Sequence, residues 1–399
     1  MRLLHTSDWH IGVSTRGSSR LGDQARVLEQ LQEIAVDFRP HLILHSGDVF
    51  HQPRPKVEEL ELAWEGLLRL AELAPVVVLA GNHDGPQLFE FFASMRPAGG
   101  RVLWLGQPRP HQVLRFPADS GETIRLAALP FVAAHQLLQG EEAPSTRLLT
   151  YASRMMRIQK QCAQALRQGA SAQRDVLVFA GHLFVEGARL SSSERALHVT
   201  DTYAVKPSSL PQVDYLALGH IHFPQDLPGG APGRYAGSLI PLDFGEAQDR
   251  KEVVLVECRP GERAQLQSCP LDRGRPLRVL EGTRSQLERQ APQVGECLLR
   301  LKVQVGGGFR DPGLNDWARR LFPRAEIVDI LEVRPQAPGQ PEPPVWLEVG
   351  EAGSLSDAFA RYLADVGAED DVLAIVRRLE EGPVELEEIE RLAAEVGLS

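Results

Sequence analysis

Five short polar clusters combine residue types that suit metal chemistry: Asp8-Trp9-His10, Gly47-Asp48, Gly81-Asn82-His83-Asp84, Gly181-His182 and Gly219-His220-Ile221-His222. Asp8, His10, Asp48, Asn82, His182, His220 and His222 make seven candidate ligands, with no thiolate among them. Mixed imidazole, carboxylate and amide donors favour Mn²⁺, Fe²⁺ or Zn²⁺ over soft metals. The set exceeds what one tetrahedral zinc takes and suits two ions that share a carboxylate. Two such ions, roughly 3.5–4 Å apart, clamp an in-line attack at phosphorus. A DxH or a GD alone occurs by chance in many proteins. Asn-His-Asp after an apolar run has no common packing rationale, and the clusters together point to a dinuclear centre.

Each cluster closely follows an apolar run: Leu3-Leu4, Leu42-Ile43-Leu44, Val76 to Ala80, Val176 to Ala180 and Tyr215 to Leu218. Short apolar runs bounded by glycine and polar residues read as buried strands. In open α/β sheets ligands bind beyond the carboxyl ends of the strands, so the clusters can converge on one site. The glycines before them suit sharp exits and close backbone approach. Leu21, Leu28, Leu31, Ile34, Ala35 and Phe38 share one helical face, and Leu60, Ala63, Leu67 and Leu70 share another. Residues 145–168 continue the pattern with Leu148, Tyr151, Met155, Ile158 and Cys162 in step. Alternating strand and helix predict a layered α/β domain over 1–265, closed by strands near Tyr235-Ala236 and over 252–257. Strands at 298–305 and 325–333 with a helix at 312–321 predict a smaller α+β unit over 270–334. Residues 335–353 are Pro-rich and read as a stiff linker. Residues 354–399 return to helical spacing, with Leu355, Phe359, Tyr362 and Leu363 as one apolar stripe.

Hydrophobic residues make up 43% and charged residues 24% of the 399, which excludes a wholly disordered or fibrous chain. No apolar stretch is long enough for a membrane span or a signal peptide, so neither is expected. Cys162, Cys258, Cys269 and Cys297 lack CxxC spacing, which argues against a disulfide framework and for a reducing cytoplasm. The net charge of −10 is concentrated at the end: residues 342–399 carry 15 acidic and 4 basic side chains. The rest is near neutral, so charge neither suggests nor excludes nucleic acid. The acidic end suits a protein partner rather than a polyanion.

The clusters sit within HTSDWHIG, SGDVFHQPRP, LAGNHD, LPFV, GHLFVEG, LALGHIH and YAGSLIPLDFGE, spread over residues 1–250. Taken together these stretches resemble the calcineurin-like metallophosphoesterase superfamily and, within it, the SbcD family of bacterial nuclease subunits. The resemblance implies an α/β/β/α nuclease domain, an α+β capping domain that binds DNA, and a C-terminal helical segment that binds the SbcC ATPase. It implies that Asp8, His10, Asp48 and His222 hold one Mn²⁺ and that Asp48, Asn82, His182 and His220 hold a second, with Mg²⁺ as a substitute. His83 would face the scissile phosphate and help protonate the leaving 3′ oxygen. Asp84 would orient His83 by accepting a ring N–H, and His51 would be a second histidine near the phosphate. The implied activity is Mn²⁺-dependent DNA cleavage, as a 3′–5′ exonuclease on double-stranded ends and an endonuclease on single strands and hairpins. The implied setting is double-strand break repair, recombination and replication, in a cytoplasmic assembly of two SbcC and two SbcD subunits, with a homodimer and no membrane. The rivals are a small-molecule or protein metallophosphoesterase and a scaffold that bridges DNA ends.

Arg16 and Arg20 lie in a Gly/Ser-rich loop that reads either as a flexible contact for DNA phosphates or as a solvated loop. Residues 191–195 invite the same pair of readings. Phe89, Phe91 and Phe92 read as core, and His5, His41, His45, His111, His135 and His198 as structural.

Overall fold

The computed structural model describes residues 1–95, 97–137, 144–191, 193–194, 203–305 and 312–333. The expected linker over 335–353, the expected helical segment over 354–399 and His198 lie outside the described residues. The chain divides into Met1–Gln304 with Phe309–Glu332, and Val305–Gly308 with Val333–Ser399. The first of these units carries the elements below.

All five apolar runs form strands: Arg2–Thr6, Leu42–His45, Val76–Leu79, Asp175–His182 and Tyr215–Gly219. They are divided between two six-stranded sheets. One sheet runs Gln265–Pro270, Glu252–Glu257, Arg2–Thr6, Leu42–His45, Val76–Leu79, Val102–Leu105. The other runs Gln225–Asp226, Gly233–Tyr235, Tyr215–Gly219, Asp175–His182, Thr123–Leu129, Leu114–Pro117. The motif-bearing strands are parallel to their neighbours of the same set. Their carboxyl ends therefore lie at one edge of each sheet.

Strands covered on both faces read as continuous apolar runs, because neither side-chain set meets water. Leu3, Leu42, Leu44, Val77 and Leu79 pack between the sheets against Ile124, Leu126, Val176, Val178 and Ala217. Their neighbours Leu4, Ile43, Val76 and Val78 point the other way, onto Val27, Leu28 and Leu31 of helix Leu21–Phe38 and Ala63, Leu67 and Leu70 of helix Val57–Leu73. On the far side of the second sheet, Ala127, Phe179, Leu216 and Leu218 meet Tyr151, Met155, Cys162 and Leu166 of helix Pro144–Arg167. The order of layers is α/β/β/α, as expected. Buried Arg125 ties the last helix down: its guanidinium donates to the carbonyls of Leu166 (2.9 Å) and Gln168 (2.7 Å), which a helix C-terminus leaves unpaired.

A third sheet takes Leu277–Gly282, Leu298–Gln304 and Glu326–Val333, with helices Arg284–Gln290 and Leu314–Leu321. The sequence reading lacked Leu277–Gly282 and Gln265–Pro270. Both are largely exposed and carry no apolar period. Phe89 and Phe92 are core, whereas Phe91 is 57% exposed. All four cysteines are free. No helix among the described residues is long and apolar enough to cross a membrane.

The loop after the first cluster corrects one expectation. Ser14–Thr15 and Ser18–Ser19 pair as a hairpin that turns on Arg16 and Gly17, both left-handed (φ 51° and 83°). Arg16 is exposed at the tip. Arg20 is fully buried and donates to Asp23 (2.7 Å) and to the carbonyls of Pro241 (3.0 Å) and Arg275 (2.9 Å). It is not a DNA contact; a short hairpin and an adjacent buried carboxylate draw it inward. Asp23 also binds Arg275 (3.0 Å), which reaches Glu326 (2.6 Å) at the start of the last strand. Asp23→Ala would strand Arg20 as an unpaired buried charge. We expect it to lower unfolding stability by roughly 3–5 kcal/mol in denaturant melts at neutral pH; a loss no larger than a surface substitution's would contradict this. Burial alone would raise the Asp23 carboxyl, but bonds from Arg275 and Arg20 outweigh it and hold it below the ordinary value. The stabilisation is therefore complete above about pH 4 and is lost as pH falls through the depressed folded value.

Candidate metal centre

The strand ends turn sharply. Asp8, His10, Asp48 and His220 all adopt positive φ (48°, 46°, 59° and 102°). Side-chain-bearing residues held there cost of order 1–3 kcal/mol each and persist only where surroundings fix them. Here the Asp8 N–H donates to the Gly47 carbonyl (2.9 Å), the His10 N–H to the Asp48 carbonyl (3.1 Å), and the His220 N–H to both Asp8 oxygens (3.2 Å). Two glycines are needed for close approach. A Cβ at Gly47 would overlap the His182 ring, and one at Gly81 would overlap the Asp48 carboxylate.

These turns bring all seven candidate ligands together. His10 Nε2 lies 3.0 Å from His222 Nε2. His182 Nε2 and His220 Nδ1 lie 2.9 Å and 2.8 Å from Asn82 Oδ1, and 3.2 Å from each other. Asp48 Oδ2 stands between the two groups, 3.7 Å from His10 Nε2 and 3.4 Å from His182 Nε2. Asp8, His10 and His222, and likewise Asp8, Asp48 and His182, converge closely enough to hold an ion. Lone pairs crowded together in a buried pocket need a positive charge among them, and this donor set fits divalent cations.

Burial alone would raise the Asp48 carboxyl, but the His182, His83 and His10 imidazoles outweigh it and hold it well below the ordinary range. Burial pushes Asp8 up to about 6, against the pull of His182 and His222. His10 is driven well below its usual value by burial and then by the His83 and His222 imidazoles, which keeps it neutral. Burial would also lower His182, but Asp48 overrides it and raises the ring to about 9. The His182 Nδ1–H donates to the Ser46 carbonyl (2.9 Å), which turns Nε2 toward the centre.

The calcineurin-like phosphoesterase family model matches residues 1–224, the span that holds every one of these ligands. The chain belongs to the calcineurin-like phosphoesterases. Within them it is 34% identical over 285 residues to the SbcD subunit of the SbcCD nuclease of Bacillus subtilis, covering 69% of this chain and 71% of the relative. The SbcD subunit of Escherichia coli K12 is 29% identical over 348 residues, covering 84% and 85%. The chain thus falls in the SbcD family. The solved TT1561 of Thermus thermophilus covers 68% of this chain and 99% of its own, with a TM-score of 0.39 at 13% identity, too distant to assign residues.

The phosphoesterase centre has a histidine wall on one side. The His83 ring lies 4.6 Å from that of His10 and 5.4 Å from that of His51, between centroids. The His83 N–H donates to Asp48 Oδ1 (2.7 Å), and its ring Nδ1 donates to the His51 carbonyl (2.8 Å). The Asp84 carboxylate, expected to orient the His83 ring, is held by backbone amides. Asp84 accepts from the backbone N–H groups of Gly81 (2.9 Å), Phe50 (3.0 Å) and Val49 (3.2 Å). These bonds fix the two turns that carry Asp48 and Asn82. Burial and the Asp48 charge push the Asp84 carboxyl up to about 7.

The other histidines are structural or peripheral. His5 bridges Tyr215 (2.9 Å) and Ser46 (2.8 Å) beneath the centre, and His41 accepts from the Arg2 N–H (3.0 Å). His45 is buried and His111 exposed, while the His135 side chain lies outside the described residues. The sequence suggests a DNA contact or a solvated loop at 191–195; Ser191, Ser193 and Glu194 turn inward to His222 and Glu246, while Ser192 and Arg195 lie outside the described residues. Sequence reasoning assigned no role to Glu246, which lies inside the quoted YAGSLIPLDFGE stretch. Nothing in that stretch says that its glutamate reaches a ligand 24 residues earlier.

Proposed function

We propose that the chain is a DNA nuclease subunit that hydrolyses phosphodiesters with two Mn²⁺ ions. The observation that carries this reading is Asp48 Oδ2, within 3.7 Å of donors from both ligand groups. Asp8, His10, Asp48 and His222 would hold one ion, and Asp48, Asn82, His182 and His220 the other. Bound there, the ions would neutralise the phosphoryl oxygens and lower the pKa of the attacking water. His83 presents the ring nitrogen not bound to the His51 carbonyl toward the reacting phosphate and protonates the leaving 3′ oxygen. His51 helps hold the phosphate, and Asp84 keeps the turns rigid.

The names of the Bacillus subtilis and Escherichia coli relatives support a nuclease that works with an SbcC partner; on this reading the substrate is DNA, SbcC is an ATPase, and the assembly holds two of each subunit. Exposed Phe91 and Met95 on helix Pro86–Met95 support a homodimer. The unit over 270–334 would cap the DNA path. Residues 354–399 would dock SbcC through apolar helix stripes, a common recognition mode. The reading includes 3′–5′ exonuclease action on duplex ends, endonuclease action on hairpins and single strands, and a cytoplasmic role in break repair, recombination and replication.

Digestion of a labelled hairpin duplex with Mn²⁺, set beside a chromogenic phosphomonoester, tests the substrate. Hairpin cleavage is expected. Turnover of the monoester with none of the hairpin would favour the small-molecule phosphoesterase. Deleting everything after Pro344 should spare Mn²⁺-dependent cutting of single strands but abolish co-purification with SbcC and ATP-stimulated cutting of duplex ends. Unchanged SbcC affinity in the truncated chain would refute the docking assignment.

A further inference from the structure

His222 differs from the other ligands in how it is held. The His182 ring leans on a backbone carbonyl, whereas the His222 Nδ1 lies 2.5 Å from the Ser193 hydroxyl. The Ser193 hydroxyl in turn donates to Glu246 Oε1. Glu246 is fully buried, and its other oxygen accepts from the Lys251 ammonium (2.8 Å) and the Leu242 N–H (3.1 Å). Lys251, also buried, donates as well to the His222 carbonyl (2.9 Å). Glu194 closes the ring by accepting from the His222 N–H (3.0 Å). His222 is thus gripped at its amide, its carbonyl and its ring.

The direction of the protons follows from the inventory of donors. Glu246 Oε2 is ion-paired with the Lys251 ammonium (2.8 Å) and also accepts the Leu242 N–H (3.1 Å), the partners of an ionised carboxylate. An ionised carboxylate only accepts, so the single Ser193 proton points to Glu246. The Ser193 oxygen is then left to accept, and the His222 Nδ1 must carry the hydrogen. That tautomer leaves the Nε2 lone pair facing His10 and the cavity.

We infer that Ser193 and Glu246 are positioning residues, a relay that fixes the His222 tautomer and so sets the affinity of one metal position. The inference rests on the dinuclear reading above. Carboxylates acting behind an imidazole ligand commonly raise metal affinity roughly 10–100-fold. Here the carboxylate acts through a hydroxyl, from a loop distant in sequence, and Lys251 locks it to the ligand's own backbone.

Calorimetric titration of Mn²⁺ into the chelator-treated full chain tests the relay. The wild-type chain should bind two ions. Ser193→Ala should weaken one binding step by roughly 10–100-fold and leave the other within about threefold. Ser193→Thr, which keeps the hydroxyl, should restore that step, and Glu246→Gln should weaken the same step. The melting midpoint of metal-free Ser193→Ala should match the wild type, which separates positioning from a general loss of structure. If Glu246→Gln fails to fold because Lys251 loses its counter-charge, the Ser193→Ala and Ser193→Thr pair decides alone. Both steps unchanged in Ser193→Ala, or no rescue by threonine, would overturn the relay while leaving the dinuclear reading intact. Fewer than two ions on the wild-type chain would overturn the dinuclear reading itself and the relay with it.

Discussion

Asp48→Ala should reduce Mn²⁺-dependent cleavage to background and remove stoichiometric binding of the second ion. Asp48 is the carboxylate whose oxygen approaches donors of both ligand groups. Its other oxygen accepts the His83 N–H at 2.7 Å. One truncation therefore removes the shared charge between the ions and unlatches the turn that carries Asn82 and His83. The measurement is hairpin cleavage beside calorimetric Mn²⁺ stoichiometry. Near-normal cleavage in this variant would mean that no bridged pair of ions does the chemistry.

His83→Ala should separate binding from catalysis. The ring is not among the proposed ligands, and the backbone bond from residue 83 to Asp48 survives the substitution. Both ions should still bind. Cleavage should fall by roughly two to four orders of magnitude, the usual contribution of a positioned general acid. A substrate whose leaving group needs no protonation should recover most of that loss. Calorimetry that showed one ion missing would make His83 a ligand instead.

The convergence of the candidate ligands was legible because each closely follows an apolar run that reads as a buried strand, and because strand ends in layered α/β folds converge. The helices were legible from one apolar face each, as with Leu28, Leu31 and Ala35. Arg20 misled because an arginine among glycines and serines looks solvated, and only the fold brings the Pro241 and Arg275 carbonyls to it. Asp84 drew attention as the neighbour of a working histidine, while its bonds to the Val49, Phe50 and Gly81 amides depend on turns that the sequence does not display. The pairing of Ser193 with Glu246 was not legible, since they lie 53 positions apart and neither belongs to a periodic segment. Gln265–Pro270 lacked a pattern because an exposed edge strand has no face that must be apolar.

The proposed ligands are split between the layers. Asp8, His10, Asp48 and Asn82 leave the first sheet, and His182, His220 and His222 leave the second. Each proposed ion would take donors from both, so the pair would rivet the open edge of the sandwich shut. Close packing of the apolar layer and the bonds from His220 to Asp8 and from His182 to Ser46 already hold the sheets together. Bound ions would add bonds of fixed length at that edge, so a shift of one sheet against the other would register as a change in the spacing of the ions.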